Sequence, residues 1–341
     1  MKKTLALTLA LCLVFVLCAC GTSATPEVTS DSGTAAGNSK TVDTETVAVG
    51  AVIIARDDVP EDEIYTLVKT IFENKDEISQ MHAKGEELDV DVAASITSVP
   101  YHPGAAKYFA EKGIEVASVK EGAGKAGDNV PLTFGTGGES GTYYAYGGVL
   151  AQYVSANTDL AITAITSDAS KTNVQEIDAG NDQIAFCQSD VMTYAYEGNK
   201  DRDFDSAVES FSVVAALYPE QVQIVTTNPD LATVADLEGK KVSIGASGSG
   251  TYFNAMDILG AYGLTEDDID AKYQSFGDSA DSLKDGKIDA AFIVAGAPTT
   301  AITDLATSGD VYLISMDEEH IATLLESSPF YSASTIVAGT Y

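Results

Sequence analysis

Apolar strand-like runs alternate with helix-like segments along residues 131–316, and this alternation restricts the chain to a small set of folds. The run Ile184-Ala-Phe-Cys187, for example, is followed by a segment with helical spacing. Alternation of this kind, with short connecting loops, predicts parallel sheets and an α/β fold. In such sheets, ligands bind beyond the carboxyl ends of the strands.

The same periodicities locate the individual elements. Helical spacing begins at Pro60, where a proline suits the first turn, and a second helix is predicted to begin near His102. Residues 117–130 are predicted to be a linker. Strands are predicted at 46–55, 131–136, 161–167, 183–188, 212–217, 222–227, 241–245, 290–294 and 311–315, and further helices at 143–156, 171–179 and 191–197.

Three loops rich in glycine and hydroxyl side chains follow predicted strands, at 135–144, 245–251 and 295–299. Glycine lets backbone N–H groups approach a ligand, and the start of the next helix favours negative charge there. Each loop taken alone also fits a tight turn between a strand and a helix. The first two loops are both rich in serine and threonine and both lead into helices, so we predict a binding site that they share.

The sequence motifs of common enzymes are missing. No Gly-Lys-Ser/Thr follows either loop, and Gly135-x-Gly137-x-x-x-Gly141 does not have the spacing of a dinucleotide-binding loop. The three histidines are scattered and the chain has no G-x-S-x-G elbow. We therefore predict no catalytic residues, no metal and no cofactor. An exported enzyme that acts on a phosphorylated substrate is the alternative.

The amino terminus has the features of an export signal. Lys2 and Lys3 precede an apolar run, and the sequence Leu17-Cys18-Ala19-Cys20 resembles a bacterial lipobox. We predict a lipoprotein signal peptide at 1–19, lipid on Cys20 and a flexible tether at 20–40, which would anchor an extracytoplasmic protein to the cell membrane. An ordinary signal peptide that happens to end in cysteine is the alternative.

Charge and cysteine content narrow the possible partners. The formal charge of the whole chain is −32, and it becomes −34 without Lys2 and Lys3. Such a surface repels the phosphates of nucleic acids and anionic lipid headgroups, so we expect neither as a partner.

Cys187 is the one cysteine after Cys20, which excludes an internal disulfide, and its apolar surroundings predict a small core residue.

Several ordered motifs resemble one family. Six motifs occur in order after residue 130, namely LTFGTGGESGTYYAYGG, AFCQSD, AALYPE, DLEGKKVSIGASGSGT, LKDGKIDAAFIVAGAPT and STIVAGTY. Two more occur before it, VAVGAVIIARDDVPEDEIYTLVKTIFEN and HPGAAKYFAEKG. Together they are similar to TAXI-type solute-binding proteins of tripartite ATP-independent periplasmic (TRAP) transporters. The resemblance implies a bilobed, type II periplasmic-binding-protein fold. It also implies a monomer that delivers a small carboxylate such as glutamate, glutamine or 2-oxoglutarate to a membrane permease. A sensory domain that reports the solute to a receptor would bind the same ligand.

The order of the motifs departs from the family pattern. In the family, the segment that matches residues 46–113 follows the AGTY motif, whereas here it precedes the first glycine loop. The chain therefore resembles a circular permutation, which closely spaced surface termini make tolerable. The resemblance implies one lobe formed by 41–217 and 317–341 and a second lobe formed by 218–316.

Carried over by position, the resemblance implies a ligand site between the lobes. Only one of the adjacent Tyr143 and Tyr144 is expected to face the cleft, and Asp190 is expected either to cap the following helix or to face the solute. The implied ligand-binding residues are Gly137, Gly138, Ser140, Tyr143, Tyr144, Gln188, Ser189 and Asp190 from the first lobe, and Ser247, Gly248, Ser249, Gly250, Thr251, Gly296, Ala297 and Pro298 from the second.

Overall fold

A computed structural model describes residues 36–125, 127 and 130–341. The predicted signal peptide, the lipidated Cys20 and most of the predicted tether lie outside these residues. None of the helices within the described ranges is long and apolar enough to cross a membrane.

The described residues form an α/β structure around one continuous sheet. Its strands are β1 (Gly37–Asn38), β2 (Thr44–Arg56), β3 (Leu132–Gly135), β4 (Ile162–Ile165), β5 (Ile184–Gln188), β6 (Phe211–Thr226), β7 (Lys241–Ser243), β8 (Asp270–Lys272), β9 (Ala290–Ala295), β10 (Tyr312–Leu313) and β11 (Ser332–Ile336). The α-helices are α1 (Glu61–Glu73), α2 (Lys75–Met81), α3 (Val90–Ala93), α4 (Pro103–Glu111), α5 (Thr142–Asn157), α6 (Ser170–Asp178), α7 (Ser189–Glu197), α8 (Gly250–Ala261), α9 (Phe276–Lys284), α10 (Thr300–Ser308) and α11 (Glu318–Ser327).

The sheet contains two parallel blocks joined by a central antiparallel pair. Its main path runs β4-β3-β5-β2-β6-β9-β7-β8. Strands β3, β4 and β5 are parallel to one another, and so are β7, β8 and β9. Strand β2 pairs antiparallel with β5 on one side and with β6 on the other. This arrangement confirms the predicted α/β class with parallel strands.

The two central strands are long because they run through both parts of the molecule. Strand β2 has 13 residues and β6 has 16. The two predicted strands at 212–217 and 222–227 are therefore one strand, which is a correction to the sequence-based assignment. Pro219, which lies between the two predicted strands, is exposed and lies opposite Gly50 beside a register shift, a position where a strand tolerates proline.

The buried apolar residues fall into separate cores that define two lobes. The first lobe comprises residues 51–218, and its core includes the inward face of α1. Glu61, Asp62 and Glu63 occupy the first turn of α1, where acidic side chains suit the helix dipole. The helix buries Ile64, Leu67, Val68, Ile71 and Phe72, which recur at the helical spacing that begins at Pro60. Cys187 is fully buried in the same core, as expected.

The second lobe comprises residues 222–341 together with 36–49. Leu324 and Tyr331 pack in one of its cores with Val47 and Val222, and Ile336 packs in another with Val225. The predicted assignment of 317–341 to the first lobe is therefore wrong. The physical reason is that β11 pairs with residues 44–48 of β2, which is the end of that strand that lies in the second lobe.

The carboxyl end of the chain lies against the start of the described region. Strand β11 runs antiparallel to β2, with Ile336 opposite Thr44. Beyond it, the Gly339 N–H donates to the Ser39 carbonyl oxygen at 2.8 Å, and the Ala338 N–H donates to Asp43 Oδ1 at 2.7 Å. The segments that precede β2 and follow β11 are thus direct neighbours.

Candidate functional site

A cavity of about 90 Å³, partly open to solvent, lies between the two lobes. It is lined by residues at or just after the carboxyl ends of β3, β4 and β5 in the first lobe and of β7, β8 and β9 in the second, and by Glu220 of β6. Ligands bind at such strand ends in open α/β sheets. This volume is several times the roughly 10–15 Å³ that one water needs, so the cavity can hold a small ligand.

Four helices begin at the cavity wall. The lining includes Thr142 at the start of α5, Ser170 at the start of α6, Gly250 at the start of α8 and Phe276 at the start of α9. The first N–H groups of a helix have no acceptor within the helix, and the helix dipole adds positive potential there. Two lobes that both direct helix N-termini at one cavity create a favourable environment for an anionic group.

The charged side chains at the cavity are acidic. Lysine, arginine and histidine are missing from the described residues that line it, whereas Asp168 and Glu220 are present. Asp168 is exposed at the edge of the cavity. Glu220 is 2% exposed and lies in the short part of β6 that crosses between the lobes.

Glu220 is a buried carboxyl group held by a tyrosine. The Tyr143 hydroxyl donates to Glu220 Oε2 at 2.8 Å. The Tyr143 ring stacks on Phe186 with 4.5 Å between the ring centroids, which fixes the direction of that hydroxyl. Burial raises the pKa of Glu220 to about 8, and hydrogen bonds from Tyr143 and Gln188 offset only part of the effect of burial.

Gln188 brings a second buried polar group to the cavity. Gln188 is 2% exposed, and its Oε1 atom has no hydrogen-bond partner among the described residues. A Cβ atom at Gly250, which belongs to the other lobe, would lie 1.8 Å from this oxygen. The glycine in the second loop therefore allows Gln188 and the start of α8 to approach each other closely.

Direct contacts between the lobes close the cavity around its edge. The Lys171 and Thr172 N–H groups both donate to the Gly248 carbonyl oxygen, at 3.1 and 3.2 Å. The Ala301 N–H donates to the Ser140 carbonyl oxygen at 3.1 Å, and the Thr142 hydroxyl donates to the Gly296 carbonyl oxygen at 2.8 Å. The structure thus has the closed arrangement of the two lobes.

A buried polar network joins the lobes outside the cavity. Asn254 Nδ2 donates to Asp190 Oδ2 at 3.0 Å and lies 3.0 Å from the Tyr331 hydroxyl. That hydroxyl donates to Asp257 Oδ2 at 2.9 Å, and Arg202 donates to Asp257 Oδ1 at 2.5 Å. The network connects Asp190 and Arg202 of the first lobe with α8 and Tyr331 of the second.

The structure places seven of the predicted ligand-binding residues at the cavity. These are Gly137, Gly138, Tyr143, Gln188, Ser249, Gly250 and Thr251. Three more predicted residues, Ser140, Gly248 and Gly296, form the contacts between the lobes described above and do not line the cavity.

The remaining six predicted residues lie elsewhere. Ser247 lines an outer groove, and Ala297 and Pro298 line a separate surface groove. Ser189 Oγ accepts from the Gly50 N–H beside the crossing strands. Tyr144 is 36% exposed and does not line the cavity, whereas the adjacent Tyr143 does.

Asp190 has neither of the roles that the sequence allowed. The N-cap of α7 is Gln188, which makes no side-chain cap bond, and Asp190 lies inside the helix with its side chain in the polar network. Burial raises its pKa to about 6. Its Oδ1 atom has no hydrogen-bond partner among the described residues.

Sequence reasoning missed several lining residues, and Glu220 is the most important of them. Glu220 lies in the part of β6 between the two strands predicted at 212–217 and 222–227. The rule that ligands bind at strand ends therefore did not indicate it. Four further lining residues lie within the three predicted loops but were not among the implied ligand-binding residues, namely Gly141, Thr142, Ala246 and Ala295. The other missed residues follow β4 or β8, or lie in β9, namely Ser167, Asp168, Ala169, Ser170, Gln274, Ser275, Phe276 and Val294. The strand-end rule could have found Ser167 to Ser170 and Gln274 to Phe276.

Two α/β lobes that share two long strands and enclose a cavity between them define a bilobed periplasmic-binding-protein-like fold. Residues 25–113 and 134–341 match the NMT1-like family, and the chain belongs to this family. The stretch between the two matched ranges contains the predicted linker.

Solved structures with similarity to this chain include three binding or transport proteins. SsuA, the periplasmic aliphatic sulphonate-binding protein of Escherichia coli, is 18% identical over 54% of this chain and 60% of its own, with a TM-score of 0.34. The alkanesulfonate-binding SsuA of Xanthomonas axonopodis pv. citri, bound to MOPS, is 18% identical over 57% and 63%, with a TM-score of 0.38. A putative L-cystine ABC transporter protein of Listeria monocytogenes is 17% identical over 58% and 90%, with a TM-score of 0.33. This chain spans less than two thirds of either SsuA protein.

Proposed function

We propose that this protein is an extracytoplasmic solute-binding lipoprotein, without enzymatic activity, that captures a small carboxylate between its lobes. The observation that carries the proposal is the cavity between the lobes at which four helices from both lobes begin. Backbone N–H groups and hydroxyls can bind a carboxylate there without arginine or lysine. The cavity size suits a small organic acid or an amino acid.

The motif resemblance to TAXI-type proteins supports a role in delivery. On this proposal, glutamate, glutamine or a 2-oxoglutarate-like acid is the cargo, a TRAP-type membrane permease receives it, and lipid on Cys20 holds the protein at the membrane. The adjacency of β11 and β2 supports the circularly permuted chain order, because the family joins these two segments directly. The residues that line the cavity come from both lobes in the permuted chain, as they would in the motif order of the family.

A thermal-unfolding screen tests the proposal. Dicarboxylates, amino acids, sulfonates and uncharged sugars are each added to the purified protein and the melting temperature is measured. A ligand at about 100 times its Kd stabilises the folded state by about 2.7 kcal/mol, which is a shift of a few degrees in a protein of this size. Stabilisation by carboxylates is expected. A screen in which only sugars or sulfonates stabilise the protein contradicts the carboxylate proposal.

The variant Gly250→Ala locates the binding in this cavity. The new Cβ would meet Gln188 Oε1 at 1.8 Å and Gln188 Cδ at 2.5 Å, so Gln188 has to leave its place in the wall or the lobes have to separate. We expect the apparent affinity for the ligand, obtained from the shift in melting temperature, to fall at least tenfold. Gly148→Ala is the matched control, since a Cβ there meets nothing within 4 Å. Equal loss in both variants would mean that the ligand binds elsewhere.

A further inference from the structure

Glu220 is a carboxyl group that the fold buries without a paired cation. The nearest candidate, Lys84, binds Glu87 Oε1 at 2.5 Å, and no salt bridge in the described part of the chain includes Glu220. Burial of a carboxyl without a countercharge destabilises a protein unless something else interacts with it. The Tyr143 hydroxyl donates to Glu220 Oε2 at 2.8 Å, and hydrogen bonding from Gln188 also lowers the pKa of this carboxyl, but neither partner carries a positive charge.

The position of Glu220 distinguishes it from a purely structural acid. It lines the cavity together with Gln188, whose Oε1 atom also lacks a partner among the described residues. Both residues are more than nine-tenths buried. The helix N-termini around them provide donors, whereas Glu220 and Gln188 add buried acceptors. One cavity therefore presents an environment for a negative group and a separate environment for a positive group.

We infer that Glu220, assisted by Gln188, binds the ammonium group of an α-amino acid whose carboxylate lies at the helix N-termini, and that this pair selects amino acids against acids without an amine. The inference rests on the proposed function, because it assumes a carboxylate ligand in this cavity. A zwitterion matches both environments, whereas a dicarboxylate matches only one of them.

A protonated Glu220 could instead donate a hydrogen bond to a second carboxylate of the ligand, and the direction of the pH dependence separates the two cases. An ammonium needs the ionised carboxylate, so amino-acid affinity should fall as the pH drops from 8 to 6. A ligand carboxylate needs the protonated form, so its affinity should fall as the pH rises through 8. The charged or titratable groups that interact with Glu220 are Tyr143 on α5, Cys187 on β5, Asp190 on α7, Tyr218 on β6 and Lys84 from the turn after α2.

Calorimetry with matched ligand pairs tests the inference. The probes are L-glutamate with glutarate, L-glutamine with glutaramate and L-valine with 3-methylbutanoate, where each pair differs only in the α-amino group. At least one amino acid should bind at least tenfold more tightly than its partner, as is typical of a charge-assisted hydrogen bond in a closed site. The variant Glu220→Gln should abolish this ratio, whereas Asp182→Asn should preserve it. Asp182 is a matched control because it is also a buried acid, 2% exposed, but does not line the cavity.

Each outcome decides between the proposals. Equal binding within every pair, or an unchanged ratio in Glu220→Gln, overturns the inference and leaves the carboxylate proposal intact. If Asp168→Asn abolishes the affinity ratio and Glu220→Gln does not, the ammonium group binds at Asp168, and this result also overturns the inference about Glu220. Failure of every probe to bind refutes both. If Glu220→Gln does not fold, the pH dependence of the unaltered protein decides, because stronger binding at pH 6 than at pH 8 contradicts an ammonium subsite.

Discussion

Replacing Glu220 by glutamine should stabilise the ligand-free protein, although it removes a buried native side chain. In the folded protein, burial raises the pKa of this carboxyl to about 8, whereas an unfolded glutamate has a pKa of 4.5. Between these two values the folded state retains a proton that the unfolded state has released. The contribution of Glu220 to stability is therefore greatest below pH 4.5 and is lost as the pH rises towards 8.

The size of the effect follows from the pKa difference. At pH 7, the carboxyl is still protonated in the folded state, although this pH lies about 2.5 units above the pKa of the unfolded glutamate. At about 1.4 kcal/mol per unit, the retained proton lowers the free energy of unfolding by about 3 kcal/mol. At pH 5, the corresponding cost is only about 0.7 kcal/mol. Glutamine has nearly the same shape, remains uncharged throughout and can still accept from the Tyr143 hydroxyl, so it avoids this cost.

Urea unfolding of the two proteins at pH 5, 6 and 7 measures the difference directly. We expect the free energy of unfolding of Glu220→Gln to exceed that of the unaltered protein by an amount that grows by about 2–3 kcal/mol from pH 5 to pH 7. Other titrating groups are common to both proteins and cancel in the difference. A difference that stays constant over this range would refute the reasoning, because it would mean that Glu220 ionises in the folded protein as it does in the unfolded chain.

Two further predictions concern closure and anchoring. Tyr331→Phe removes the hydroxyl that bonds Asn254 and Asp257; if these contacts form only in the closed protein, ligand affinity measured by calorimetry should fall about fivefold, for a hydrogen bond worth about 1 kcal/mol. Unchanged affinity would mean that the network persists when the lobes open. Cys20→Ala should move the protein from the membrane fraction to the soluble fraction on immunoblots, and continued membrane retention would contradict lipid attachment at this position.

The loops that line the cavity could be located from the sequence only in part. Glycine, serine and threonine at the ends of β3 and β7 are local features, and they correctly indicated Gly137, Gly138, Ser249, Gly250 and Thr251 as neighbours of a cavity. The third loop is divided, because Ala295 lines the cavity whereas Ala297 and Pro298 line a different groove. Which side of a loop faces a ligand depends on the packing of the two lobes, and composition carries no information about it.

The sequence by itself determined the local structure: helix α1 with its inward apolar face, the start of α4 at Pro103, the parallel α/β class and the burial of Cys187. Periodicity and helix-start signals act over a few residues, so they can be read without knowledge of the rest of the chain. The tertiary structure alone decided three other points. It made β6 one strand across both lobes, it placed 317–341 in the second lobe through the pairing of β11 with β2, and it brought Glu220 beside Tyr143 and Gln188. Each of these depends on contacts between residues more than thirty positions apart in the chain, and such contacts are set by which surfaces bury each other when the whole chain folds.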